Sequence, residues 1–132
     1  MSGTSGAALP CPSESVEQTR LFQWAKMQSA AYPEIGLLFH IPNGGKRYAA
    51  TAKRLKAEGV KAGVPDLFLP VARGGEHGLF IELKKEHGNK ATEKQNEWLD
   101  ALRKQGYTAA VCYGWYEAAR LIYLYLGIEK AV

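Results

Sequence analysis

Asp66, Glu82 and Lys84 are the residues whose types and spacing could do chemistry in this 132-residue chain. In the run Gly78-Leu79-Phe80-Ile81-Glu82-Leu83-Lys84, a strand period of two puts Leu79, Ile81 and Leu83 on one face. Phe80, Glu82 and Lys84 share the other, so a carboxylate and an ammonium project side by side from an apolar strand. Burying such charges is costly unless they pair or bind a metal. Asp66 stands sixteen residues earlier, after Pro65, at the mouth of the strand Leu67-Phe68-Leu69. If the two strands form a hairpin, Asp66 lies beside Glu82. Two adjoining carboxylates repel, and one takes up a proton unless a cation sits between them. A hard divalent ion such as Mg²⁺ resolves the conflict with one or two carboxylates and retained waters. The carbonyl of Leu83 could add a backbone ligand. Such an ion would activate a water against a phosphodiester, with Lys84 orienting the water and offsetting charge on phosphorus. The plainer reading of a lone Glu-x-Lys is a surface ion pair, worth roughly 0–1 kcal/mol. The conjunction with Pro-Asp and an apolar strand favours the chemical reading.

Two more polar residues face inward on expected helices. Glu17 precedes Leu21 and Trp24 on one core stripe, and Gln95 precedes Trp98, Leu99 and Leu102 on another. Helix-dipole complementarity accounts equally well for Glu17, and a capping box for Gln95. Between Lys46 and Lys61, six basic residues (Lys46, Arg47, Lys53, Arg54, Lys56, Lys61) oppose one acid, Glu58. A solvated helix face is the ordinary explanation. Yet Lys46, Arg47, Lys53 and Arg54 repeat at seven-residue spacing, on one side of a helix that follows the turn Asn43-Gly44-Gly45. That stripe could grip a nucleic-acid backbone without reading sequence.

The elements that must position these residues follow from periodicity and punctuation. Residues 1–12 read as a flexible leader, and 13–132 as a single domain. Ser15 with Gln18 matches a capping box opening a helix to about Ala30. Leu37 to Ile41 has strand length and ends at Pro42-Asn43-Gly44-Gly45. Lys46 to Glu58 is helical in period, with Gly59 as its stop. After the Leu67–Leu69 and Leu79–Leu83 strands, Thr92 with Gln95 caps a helix that Gly106 ends. Tyr107 to Tyr113 is a strand, and Trp115 to Leu126 an amphipathic helix stopped by Gly127. This order predicts a mixed α/β domain, a sheet of about four strands flanked by helices.

Composition narrows the class. The chain is 46% hydrophobic and 23% charged, with a net charge of +4, the balance of a globular protein with room for a nucleic-acid partner. No apolar run approaches the roughly 20 residues of a membrane span, and the Gly-, Ser- and Ala-rich start lacks a basic n-region. Cys11 and Cys112 are too few for a disulfide framework or a four-cysteine zinc site, and Cys112 reads as a buried hydrophobe. A reduced, cytoplasmic protein is expected. His40 reads as a satisfied core residue; His77 and His87 fall in turns. Neither a phosphate-binding loop nor a nucleophile elbow is present in the sequence.

Gly63-Val64-Pro65-Asp66-Leu67, followed by Phe80-Ile81-Glu82-Leu83-Lys84 and preceded by Ile41-Pro42-Asn43-Gly44-Gly45, resembles the VRR-NUC family. That family is the virus-type replication-repair nuclease branch of the PD-(D/E)XK superfamily. The likeness runs from Glu17 to about Leu126. It implies a restriction-endonuclease-like fold and Mg²⁺- or Mn²⁺-dependent hydrolysis of DNA. It assigns metal ligation to Asp66 and Glu82, and a catalytic role to Lys84. Glu17 matches the first-helix acid, reaching the ion through a water, and Gln95 the glutamine of the helix after the core motif. Asn43, Gly44 and Gly45 match a family turn whose amides could meet a phosphate. The short, stand-alone form is similar to phage and bacterial members that resolve Holliday junctions as homodimers, and a two-fold dimer suits a four-way junction. Tyr116, Tyr123 and Tyr125, with Leu124 nearby, are candidates for a dimer face, although core packing explains them equally well. The alternatives are a non-catalytic DNA-binding module and a nuclease acting on ordinary duplex or flap DNA.

Overall fold

The first helix begins where Ser13 turns out of extended backbone. In the computed structural model, which describes residues 11–43, 49–130 and 132, its hydroxyl accepts the Val16 N–H at 3.2 Å. The helix α1 (Glu14–Gln28) therefore starts two residues before the expected Ser15 cap. Both serines offer the same hydroxyl, but a start at Ser13 brings Glu14 and Glu17 into the first turn, against the positive end of the dipole. Ser15 instead lies inside the helix, its carbonyl accepting from the Thr19 hydroxyl. The inward stripe is as expected: Glu17, Leu21, Trp24 and Ala25 are buried.

The expected strand from Leu37 to Ile41 is shorter than its apolar run. Pro33, with its fixed φ, opens a 3-10 turn (Pro33–Leu37) that buries Ile35, and only Phe39–His40 pairs as strand β1. As a two-residue edge strand it leaves both side chains exposed, so His40 is not the core residue that its apolar neighbours suggest. Helix α2 (Ala49–Ala57) follows, closed by Gly59 at φ +104° as expected.

Strands β2 (Leu67–Leu69) and β3 (Leu79–Lys84) pair antiparallel, with Leu67 opposite Ile81 and Leu69 opposite Leu79. Thr92 and Gln95 form the expected reciprocal capping box at the start of α3 (Glu93–Lys104). This helix is the crossover that lets β4 (Thr108–Tyr113) lie parallel to β3, since parallel neighbours cannot be joined by a tight turn. Helix α4 (Trp115–Leu126) ends at the left-handed Gly127. The sheet order is β1-β2-β3-β4.

The two faces of β3 divide the molecule. Leu79, Ile81 and Leu83 join Leu67, Leu69 and Cys112 in a core closed by Leu21 and Trp24 of α1 and by Ala118, Ala119 and Ile122 of α4. Each buried Leu or Ile side chain contributes about 1.5–3 kcal/mol on burial. The opposite face carries Phe80, Glu82 and Lys84; α3 packs over the neighbouring β4 and reaches Glu82 through Gln95. Cys112 is 2% exposed and its thiol is pushed up to about 12 by burial, as befits an inert hydrophobe. Among the described residues no helix is long and apolar enough to cross a membrane.

Candidate active site

The charged pair on β3 sits above an aromatic floor. Phe80, one pleat before Glu82, stacks on Phe68 of β2 with ring centroids 4.1 Å apart, and Tyr107 closes edge-on against both. Glu82 is 2% exposed and Lys84 8% exposed, so both charged groups have largely lost their water. Lys84 Nζ lies 3.9 Å from Glu82 Oε2, a loose ion pair rather than a direct hydrogen bond. A surface pair is thereby excluded.

Asp66 joins Glu82 through the hairpin. One residue before β2 begins, its Oδ2 accepts the backbone N–H of Leu83 at 2.8 Å. That bond replaces the next rung of the β2–β3 ladder and brings the Asp66 carboxylate against Glu82. Burial first, and then the charge of Asp66, pushes the Glu82 carboxyl up to about 9; once protonated it hydrogen-bonds to Asp66. Lys84 opposes the shift, and Glu14 adds to it. Glu82 Oε1 is buried with no donor against it, while Oε2 accepts from Gln95 Nε2 at 3.1 Å. An acceptor without a donor, beside a second carboxylate, leaves a place that a proton or a cation satisfies.

The backbone turns a further oxygen the same way. Gly78 and Lys84 accept from Thr108 and Gly114, so even-numbered carbonyls of β3 point toward β4. A strand residue's N–H and C=O share an edge, so the Leu83 carbonyl points with its N–H to the Asp66 side. Two carboxylates and a carbonyl form an all-oxygen set suited to Mg²⁺ or Mn²⁺ with retained waters. Among the described residues no three His, Cys, Asp or Glu side chains gather closely enough to hold an ion by themselves. An ion held there would need waters to complete its shell.

The Asp66 carbonyl is fixed independently. It accepts the Ile41 N–H at 2.6 Å, and His40 Nδ1 lies 2.9 Å from it. The edge strand β1 thereby locks the turn that aims the carboxylate.

A sequence profile of the VRR-NUC domain matches residues 13–115. A solved structure described as a "VRR_NUC domain protein" superposes with a TM-score of 0.77 at 34% identity, over 93% of this chain and 95% of the other. The chain belongs to the VRR-NUC family. No curated protein matches it in a sequence search. Membership places the protein among nucleases, and its mixed four-stranded sheet is a PD-(D/E)XK-like core.

Within this VRR-NUC domain Asp66, Glu82, Lys84 and Gln95 come together. Gln95 does two jobs: its Oε1 accepts the Thr92 N–H at 2.8 Å to cap α3, and its Nε2 holds Glu82. Glu17 is 1% exposed, but its Oε1 accepts the Trp115 N–H at 3.1 Å, tying α1 to the start of α4. Its Oε2 is buried without a donor, and no hydrogen bond or ion pair links it to the Asp66–Glu82 pair. Lys53 and Arg54 are exposed on α2 and Asn43 is exposed beyond β1, whereas Gly44, Gly45, Lys46 and Arg47 lie outside the described residues. Tyr123 and Tyr125 bond to Gln28 and to the Val71 carbonyl, so core packing accounts for them; Tyr116 and Leu124 are exposed. Sequence reasoning missed Glu14 and the His40 contact. Glu14 lies three residues before Glu17, so its helical spacing was a usable signal.

Proposed function

We propose that this domain is a metal-dependent, structure-selective DNA endonuclease that hydrolyses phosphodiesters at the Asp66–Glu82–Lys84 site and acts on four-way junctions as a homodimer. The observation that carries the reading is the juxtaposition of a buried and a half-buried carboxylate from paired strands, one pushed up to about 9, beside a buried ammonium. Such an arrangement is electrostatically unfavourable in isolation and is relieved by a divalent ion. Asp66, Glu82 and the Leu83 carbonyl hold Mg²⁺ or Mn²⁺, with Glu17 contributing through a water. When bound, the ion polarises the phosphodiester and lowers the pKa of a coordinated water.

The chain's own residues do the rest. Lys84 orients the attacking water and offsets the charge that develops on phosphorus. Gln95 fixes the Glu82 rotamer through its hydrogen bond, and His40 with Ile41 fixes the backbone that carries Asp66. Asn43, Gly44, Gly45, Lys46, Arg47, Lys53 and Arg54 hold the DNA backbone beside the site, positioning it without reading its sequence. Matched cuts on a four-way junction require two such sites related by a two-fold axis.

Cleavage of a four-way junction, a flap and a blunt duplex, compared side by side in Mg²⁺ and in Mn²⁺, tests this. The junction is cut fastest, Asp66→Ala is inactive, and Lys84→Ala is strongly slowed. No cleavage of any substrate with either ion, or an Asp66→Ala protein that cuts like the wild type, overturns the reading. Faster cutting of the duplex or flap retains the chemistry and removes the junction preference.

A further inference from the structure

One helical turn beyond Gln95, Trp98 of α3 stands half-buried between two recesses. The larger, of about 420 Å³, is walled by Ile41, Pro42, Val60, Val64 and the Trp98 indole. The smaller, of about 270 Å³, lies on the other side of Trp98 along α3, with Lys94 and Ala101. The volume of the first falls within the roughly 300–1,000 Å³ range of ligand sites. Its walls are carried by the same segments that hold the carboxylate pair. Ile41 donates to the Asp66 carbonyl, Val64 lies two residues before Asp66, and Gln95 on the same helix holds Glu82.

The junction between turn and helix is built tightly. Gly63 has φ +91°, and a Cβ there would lie 3.0 Å from the Lys94 carbonyl carbon and oxygen. Only glycine lets the Gly63–Asp66 turn seat against the first turn of α3, which fixes one wall of the recess relative to the site.

Charge decides what kind of group the recess takes. Lys61 and Lys94 line the two recesses, but so do Glu58 and Glu97. That balance does not make a phosphate trap. An apolar slot with an indole wall matches the π-face of a nucleobase, while flanking phosphates meet the exposed Lys53, Arg54 and Lys56 of α2. A paired base in a duplex has both faces covered by its neighbours, so only an unpaired base can enter.

We propose that the Trp98 recess holds a nucleobase left unpaired at the branch point, next to the scissile phosphate, so that the substrate class is branched DNA with an unpaired base adjoining the cut. This rests on the nuclease reading above and adds to it a subsite outside the metal centre.

The test is binding of the full chain, in EDTA, to a fluorescently labelled oligothymidylate and to a blunt duplex of equal length. Stacking on one aromatic side chain makes the ratio of single-strand to duplex affinity fall by roughly 5- to 150-fold in Trp98→Ala. Trp98→Phe, which keeps a π-face, retains most of the ratio and guards against a loss that reflects misfolding. Intrinsic fluorescence gives a second readout: oligothymidylate quenches the wild type and quenches Trp98→Phe less, the remaining signal coming from the buried Trp24 and the half-buried Trp115.

An unchanged ratio in Trp98→Ala overturns the proposal. So does an altered oligomeric state with DNA binding intact, which would make the recess a protein-docking surface. Because binding is read without divalent metal, an inert Asp66–Glu82 site leaves a positive result standing. Conversely, an unchanged ratio together with Mg²⁺-dependent cleavage sinks the subsite and spares the nuclease reading. A wild type that binds neither DNA in EDTA overturns the subsite, while cleavage in Mg²⁺ decides the nuclease reading separately.

Discussion

Glu82→Gln is expected to make the metal-free protein more stable while removing its response to divalent metal. The carboxyl of Glu82 is raised from 4.5 to about 9, chiefly by burial and then by Asp66. An acid whose pKa is raised by folding keeps a proton that the unfolded chain has already lost. The wild type therefore loses stability as pH climbs from about 4.5 toward about 9, and carries no such cost below that window. Each pH unit of proton uptake costs about 1.4 kcal/mol, so the ceiling at pH 7 is about 3 kcal/mol. Asp66 is partly exposed and water at the mouth screens the pair, which reduces the expected effect to about 1–2 kcal/mol. Glutamine is isosteric with the protonated acid; its oxygen can accept from Gln95 and its NH₂ can donate to Asp66, so the contacts persist without the titration. Urea unfolding from pH 5 to pH 9 reads the difference: the two proteins converge at low pH, and Glu82→Gln is ahead by about 1–2 kcal/mol at pH 7. Mg²⁺ at roughly ten to thirty times its Kd stabilises the wild type by about 1–2 kcal/mol and the variant by much less. A Glu82→Gln protein less stable than the wild type at neutral pH, or parallel pH profiles for the two, refutes the reasoning.

Lys84→Ala is expected to cut the cleavage rate by about 10²–10³-fold, the usual effect of losing one transition-state charge stabiliser, with the unfolding midpoint little changed, as single-turnover assays and urea melts would show. Gln95→Leu loses both the capping box and the hold on Glu82, so helix stability falls by about 1 kcal/mol and Mn²⁺ affinity by roughly 10-fold, measured by unfolding and calorimetry. Glu17→Ala leaves the Trp115 N–H without its partner and opens a hole at the joint of α1 and α4, costing about 2–3 kcal/mol in urea unfolding. Lys53→Ala with Arg54→Ala weakens DNA binding alike for all sequences and lowers the salt slope by about 2, read from affinity against ionic strength.

Much of this site was legible because its signals are local. A strand period of two sorted Phe80, Glu82 and Lys84 onto one face, and the Pro-Asp turn with the intervening loop implied the hairpin that brings Asp66 across. The Thr92–Gln95 box and the Gly127 stop are likewise encoded within four residues or fewer and stand where expected. What escaped was decided between distant segments or between chemical equals. Ser13 and Ser15 offer the same hydroxyl, and only the placement of Glu14 and Glu17 chooses between them. The Leu37–Ile41 run has strand composition, but Pro33 starts a turn that consumes its first residue. His40 looked apolar by its neighbours, yet its side chain is exposed on the edge strand, and its ring meets a carbonyl 26 positions away. The second task of Gln95, holding Glu82, is invisible to a helix-capping pattern, because it depends on where α3 lands on β3.

The most direct measurement is a calorimetric titration of the wild type and Asp66→Ala with Mn²⁺ at pH 7, each in two buffers of different ionisation enthalpy. If two carboxylates share the ion, the wild type binds Mn²⁺ and releases about one proton, the one Glu82 holds in its absence, and Asp66→Ala loses most of both signals. Equal Mn²⁺ binding by the two proteins, or binding by the wild type with no proton released, would contradict the account.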